Sequence, residues 1–267
     1  VAAAAKNLKI VEEDPKSGLP AAPPRPEKIL VVDIGGSKVK ILVAGETEPR
    51  KAESGKNFTP AKLVEAVKDL AKDWQFDAVS IGYPGTVGAH GPRSEPGNLG
   101  SGWVGFDFAA AFGIPVRIIN DAAMQALGSY EGGRMLFLGL GTGLGSAMIA
   151  ENAIIPLELG RLHHKNDKSL GELLGKKGME KLGKEAWAEV VKDVVATFSV
   201  AFLTDYVVIG GGNAKKLDGA LPGVRMGHNL TAFRGGVRLW NIEQVPTLSA
   251  EVEGTPAPVI PADWRVI

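Results

Sequence analysis

The stretch Ile29-Leu30-Val31-Val32-Asp33-Ile34-Gly35-Gly36-Ser37-Lys38-Val39-Lys40-Ile41-Leu42-Val43 sets the reading of this chain. An apolar run enters a pair of glycines, and a second run, partly alternating basic and apolar, leaves it. Glycine tolerates positive φ and close backbone approach, so the pattern predicts two antiparallel strands around a tight turn with no bulk at its tip. Gly35 and Gly36 leave amides free to face an oxygen, and Ser37 or Lys38 adds a donor. The pattern recurs at Leu138-Gly139-Leu140-Gly141-Thr142-Gly143-Leu144-Gly145-Ser146, with Gly141, Thr142 and Gly143 at the tip. A third instance runs from the apolar Tyr206-Val207-Val208-Ile209 into Gly210, Gly211, Gly212 and Asn213, with a helix predicted from Ala214. Bare backbone tips of this kind restrain phosphates, which makes phosphoryl transfer the first functional reading. Neither hairpin is a Walker motif: the first has no serine or threonine directly after its lysine, and the second has no lysine.

Between the two hairpins, Pro115-Val116-Arg117-Ile118-Ile119-Asn120 has the continuous apolar character of a strand covered on both faces. Asp121 follows at the start of a helix predicted over 122–130. The carboxyl end of a strand opening into a helix is where α/β active sites gather. Asp121 is therefore the candidate general base, accepting the proton of an attacking alcohol, and its alternative is a helix N-cap. Asp33, two residues before the first glycine pair, is the candidate for orienting magnesium through water; otherwise it satisfies turn amides. Asn98, Asn120 and Glu158 offer groups that orient sugar hydroxyls, while Gly85 and Thr86 bring backbone close to a substrate. Trp103 and Phe106 either contact a sugar face or pack their loop. The pair His163-His164 lacks the spacing of a metal site. Lys165, Lys168, Lys176, Lys177, Lys181 and Lys184 form either a basic path for a polyanion or a solvated helix surface.

The chain has 267 residues, 45% of them hydrophobic, enough for one large domain or two smaller ones. Its 30 basic and 30 acidic residues balance, so no global field draws nucleic acid or an anionic membrane. It contains no cysteine, which removes disulfides, thiolate nucleophiles and cysteine-bound metals and fits a cytoplasmic location. No apolar run is long enough to span a bilayer. The expected organisation is an extended leader over 1–27, an α/β lobe over 28–120, a second over 121–240 and a proline-broken tail over 241–267. A helix over 185–203 carries Trp187, Val190, Val191, Val194, Val195, Phe198 and Phe202 on one broad apolar stripe, suited to a core or to a subunit interface.

These segments together resemble the ROK family of sugar kinases over about residues 28–240. Asp33-Ile34-Gly35-Gly36-Ser37-Lys38 is similar to the family's first phosphate segment and Gly139 to Gly145 to its second. Ile209-Gly210-Gly211-Gly212 is similar to its adenosine segment, Asn120-Asp121 to its sugar-site pair and Pro156-Leu157-Glu158-Leu159-Gly160 to its glutamate segment. The resemblance implies an α/β, actin-like ATPase (ribonuclease H-like) fold with two lobes around a central cleft, a magnesium ion, Asp121 as base, and a homodimer. Gly82-Tyr83-Pro84-Gly85-Thr86-Val87, Pro96-Gly97-Asn98-Leu99 and Trp103-Val104-Gly105 resemble the polyphosphate glucokinase branch. That branch implies transfer from polyphosphate and/or ATP to the 6-hydroxyl of glucose. Histidine usually follows the family's glutamate and glycine, whereas Arg161 stands here, a donor with no acceptor. The departure keeps open a second reading, a noncatalytic sugar or nucleotide sensor that retains the cleft.

Overall fold

The computed structural model describes residues 26–164, 168–217, 222–228 and 230–241. The leader before residue 26, Lys165, and the tail beyond 241 with Trp264 and Ile267 lie outside them. The first glycine turn joins β1 (Ile29–Ile34) to β2 (Lys38–Val43), antiparallel, with Ile34 opposite Val39. β3 (Arg50–Glu53) adds to the outer edge of β2. Helix α1 (Pro60–Leu70) starts where sequence chemistry says: Thr59 caps it through Lys62 N, and Pro60 fills a position whose amide would have no partner. It lays Leu63, Val64 and Val67 on the sheet. The chain then runs through β4 (Ala78–Tyr83), the small hairpin β5 (Val87–Gly88) and β6 (Gly91–Pro92), α2 (Phe108–Phe112), β7 (Val116–Asn120) and α3 (Asp121–Ser129).

The second glycine turn repeats this plan with β8 (Arg134–Leu140) and β9 (Leu144–Ala150). Glu151 and Asn152, both at positive φ, turn the chain into β10 (Ala153–Leu157). Helices α4 (Leu170–Leu174), α5 (Lys176–Leu182) and α6 (Lys184–Ala201) precede β11 (Tyr206–Gly210), β12 (Val224–Met226) and α7 (Thr231–Arg238). One sheet has the order β3-β2-β1-β4-β7 and the other β10-β9-β8-β11-β12. In both, the first three strands of the lobe are antiparallel to one another and the last two run parallel to the first. The result is an α/β fold of two lobes.

Between the sheets lie α3 and α7, packed so closely that neither tolerates side chains at the crossing. A Cβ on Gly128 would stand 1.7 Å from Thr231 O, and one on Gly235 would stand 1.8 Å from Met124 O. Helix α3 covers β8 and β9 with Ala122, Ala123, Ala126 and Leu127, while α7 covers β1 and β4 with Ala232 and Phe233.

Two expectations need correction, and two open alternatives resolve to packing. Strand β7 is not covered on both faces: it is an edge strand, paired with β4 on one side, with every residue half-buried. The helix predicted from Ala214 is one 3₁₀ turn, Ala214–Lys216. Trp103 does not offer its face to a ligand: it is fully buried against Tyr83 and Phe108, and its Nε1 donates to Gly100 O. Of the two readings given for the Trp187 stripe, the core is the one observed: it packs in the second lobe, with Trp187 Nε1 donating to Leu174 O. Among the described residues no helix is long and apolar enough to cross a membrane.

Candidate active site

A cavity of about 470 Å³ opens between the lobes, and the tips of both glycine hairpins line it. The first tip is held by its neighbours: Gly35 N donates to Lys38 O, Ser54 Oγ to Gly35 O, and Ser54 N to Ser37 O. Gly36 faces Asn98, and a Cβ there would meet the Asn98 side chain at 3.4 Å, an ordinary contact. The second tip is fixed from three sides. Asn213 donates its side-chain amide to Gly141 O and its backbone N–H to Leu140 O, Lys176 N donates to Gly141 O, and Gly175 abuts Thr142 O. Gly145 presses on Ala122, which draws the neck of this hairpin onto the first turn of α3.

That first turn carries the carboxylate. Asn120, and not Asp121, is the N-cap: its Oδ1 accepts from Ala123 N at 3.1 Å, and its Nδ2 donates to Gly85 O, tying the Pro84-Gly85-Thr86 turn to the end of β7. Asp121 is thereby the first helical residue and half-buried at the cavity wall, with Oδ1 accepting from Ala122 N at 2.8 Å. Beneath it Gly82 has no side chain, and its Cβ position lies 3.6 Å from Asp121 Cα. Asp33 sits opposite Gly82 on the adjacent strand. Burial, the nearby Asp33 and, more weakly, Glu158 push the Asp121 pKa up to about 7. Asp33 is also raised, by burial, with partial relief from Lys40, whose Nζ is 4.0 Å away.

Of the residues predicted from sequence, the cavity brings together Gly35, Gly36, Gly85, Thr86, Asn98, Asn120, Asp121, Gly141, Thr142, Gly143, Glu158, Arg161 and Gly211. Asp33, Ser37, Gly210 and Gly212 are not among the lining residues, and Lys38 has its Nζ 3.4 Å from Glu53 on β3. His163 and His164 are exposed and outside the cavity. Lining residues that sequence reasoning missed include Ser94, Glu95 and Gln125. Gln125 was findable, because it lies four residues after Asp121 and so on the same helix face. Glu95 was not: its two carboxylate oxygens accept from Trp103 N and Val104 N, a loop contact with no local sequence signature.

The donor set suits a hard divalent cation. Asp33 offers carboxylate oxygens of the kind such a cation takes, and the chain has no cysteine to offer a thiolate. Among the described residues there is no cluster of three or more metal-ligating side chains. Water and donor phosphates would therefore complete the shell, as magnesium ordinarily allows.

Residues 29–160 match the model of the ROK family. The chain is 26% identical over 221 residues to a polyphosphate glucokinase of Mycobacterium tuberculosis, covering 72% of this chain and 80% of that protein. Its fold resembles that of an inorganic polyphosphate/ATP-glucomannokinase from Arthrobacter sp. strain KM, with a TM-score of 0.68, 23% identity and coverage of 82% of this chain and 99% of that one. A ROK family glucokinase from Streptomyces griseus, solved with glucose and AMPPNP, superposes with a TM-score of 0.60 at 17% identity, covering 79% of this chain and 98% of that one. Residues 29–160 thus match the ROK family model, and the described chain shares the two-lobed α/β fold of these solved structures.

Proposed function

We propose that the chain is a magnesium-dependent hexose kinase, transferring a phosphoryl group from polyphosphate or ATP to the 6-hydroxyl of a sugar, glucose being the first candidate. The observation that carries this reading is Asp121: a carboxylate with a pKa near neutrality, in one cavity with two bare glycine tips. A base works best when its pKa lies close to the working pH. The sugar oxygen attacks the terminal phosphorus of the donor while its proton passes to Asp121. The bond from phosphorus to the bridging oxygen breaks, and its electron pair leaves with ADP or with polyphosphate shortened by one unit. Gly35 N and Gly141 N are spent inside their own turns on Lys38 O and Gly143 O, contrary to the expected free amide at Gly35, so the Gly36, Thr142 and Gly143 amides are the ones that restrain the phosphates from the two lobes. Asp33 would hold magnesium, and the ion would supply positive charge to share the donor's negative charge. The strand order common to both lobes is the ribonuclease H-like one in this proposal.

The decisive experiment is a matrix of ATP and defined polyphosphate against a hexose panel, with the phosphorylated product identified. Formation of a hexose 6-phosphate from at least one donor is the expected result. Tight sugar binding with no product from any pair would instead mark a sensor.

A further inference from the structure

Gln125 lines the active-site cavity, yet its side-chain amide makes no hydrogen bond with any described residue. Its backbone carbonyl alone is engaged by a side chain, accepting from Ser129 Oγ. Since no buried side-chain nitrogen or oxygen among the described residues lacks a partner, both polar atoms of that amide are reached by solvent. Neighbouring polar groups are already committed: Asn120 caps α3 and donates to Gly85 O, and Glu95 accepts from two backbone amides. Gln125 stands four residues after Asp121, on the same face of α3 and about 6 Å further along its axis. The second sheet beneath it is bare. Gly139 pairs with Gly210 on one side and with Gly145 on the other, so the neighbouring strands β9, β8 and β11 all carry glycine at one level. The Phe137 ring fills the space at two of them: a Cβ on Gly210 would stand 2.7 Å from Phe137 Cζ, and one on Gly139 3.2 Å from Cε1. Gln125 Oε1 lies over this floor, 3.6 Å from the Gly210 Cβ position.

Place along α3 decides which reactant this amide meets. Gly85 is tied to Asn120, at the end of α3 away from Gln125. Gln125 instead adjoins Gly139 and Gly210, from which the Gly141–Gly143 tip and Gly211 continue into the cavity lining. In an in-line transfer the leaving oxygen departs from the face of phosphorus opposite the attacking one. A group one turn beyond the base and beside the glycine segments therefore faces the leaving phosphate. Phosphate oxygens only accept, so a carboxamide meets them with its N–H groups. A cation at this position would pull the Asp121 pKa back down, whereas a neutral amide supplies the donor and leaves it at about 7. We propose that Gln125 is a catalytic residue of the donor side, its Nε2 donating to a non-bridging oxygen of the leaving phosphate. This rests on the sugar-kinase reading. As the bond from phosphorus to the bridging oxygen breaks, its electron pair moves onto the leaving phosphate, toward which the amide dipole is already aimed, while the acceptor's proton goes to Asp121. ATP and polyphosphate present the same oxygens there, so one contact serves either donor.

The test uses the full chain as wild type, Gln125→Leu and the isosteric Gln125→Glu, with circular dichroism to confirm folding. Calorimetry measures binding of ADP, AMP, tripolyphosphate and glucose, each with magnesium, and steady-state kinetics measure turnover with ATP and polyphosphate. Gln125→Leu is expected to weaken ADP and tripolyphosphate by about 10-fold or more, as loss of a hydrogen bond to a charged group does. AMP, which lacks the leaving phosphate, and glucose should stay within about twofold of wild type. The fall in kcat should be about 10²-fold with either donor, at an unchanged KM for the sugar. Gln125→Glu should bind ADP and tripolyphosphate more weakly still, because a carboxylate repels the phosphate that the amide held, and this variant decides the matter if leucine is not tolerated. Wild-type affinity for ADP and tripolyphosphate in the folded variants would overturn the contact while sparing the kinase reading, as would an equal loss for AMP or glucose. The expected binding pattern with no sugar phosphate formed by wild type would sustain the contact and remove the kinase reading.

Discussion

At the first position of α3 the helix dipole favours an ionised carboxylate by roughly 0.3–1 kcal/mol, and Asp121 also accepts the Ala122 amide. Both effects are outweighed by burial and by Asp33, which together lift its pKa from 3.8 to about 7, a shift of roughly 4 kcal/mol. Free-enzyme kcat/KM should therefore rise with pH through about 7 and level off above it. A pH-rate profile that is flat between 5.5 and 8.5 would remove Asp121 as the base. Asp121→Asn should lower kcat by about 10²- to 10⁴-fold with an unchanged circular dichroism spectrum. The same substitution has an opposite effect on stability. A raised carboxylate pKa contributes stability that is complete below the unfolded value and is lost as pH climbs through the folded value. Replacing Asp121 with a neutral isostere should thus gain roughly 2 kcal/mol relative to wild type between pH 5 and pH 8.5, read from denaturant midpoints.

At the scale of elements, the helix start and the helix crossing are the sensitive places. Asn120→Ala removes a cap and the link to Gly85 at once. It should cost about 1 kcal/mol in stability and, beyond that, raise KM for the sugar through the freed Pro84-Gly85-Thr86 turn. Gly128→Ala forces the methyl group into Thr231 O, and backbone cannot move aside as a flexible side chain would. A loss of about 3 kcal/mol or more is expected in urea unfolding, against a few tenths for Gly97→Ala, where the added atom meets nothing. The hairpins, α1, α6 and the Asn120-Asp121 junction were legible from sequence because their signals are local: turn glycines, a Thr-Pro cap, a 3.6-residue stripe. Helix α7 was not predicted, and Gly235 and Gly236 in its middle are poor helix formers. Only the facing helix and Val31, whose Cγ1 lies 2.3 Å from a Cβ on Gly236, explain why glycine is needed there. Strand β7 misled for a related reason, its apolar run being a property of the segment and its edge position a property of the sheet.

For the whole molecule, the contacts that join the lobes converge on the chain's last described segment. Ser80 Oγ donates to Gly236 O and accepts from Trp240 Nε1, Arg117 donates to Leu239 O and stacks on Trp240, and Arg238 donates to Leu127 O and Tyr130 O. Tryptophan fluorescence and far-ultraviolet dichroism should therefore report one coincident unfolding transition, despite the two sheets. Two separated transitions would show that these ties do not couple the lobes. The donor and acceptor residues were legible as a set because each sits at a strand end or turn tip, whereas their partition around one cavity depends on how the lobes face each other, which no local pattern encodes. The helix that ends each lobe's run of strands is surrendered to its counterpart: α3 roofs the sheet that follows it and α7 roofs the sheet that began the chain. The two halves thus trade terminal helices within one polypeptide, as subunits of an arm-exchanged dimer do. Neither half is a self-sufficient folding unit, and a fragment stopping before Thr231 would expose Ile29, Val31, Leu42 and Ala78 to water and precipitate instead of folding as a free lobe.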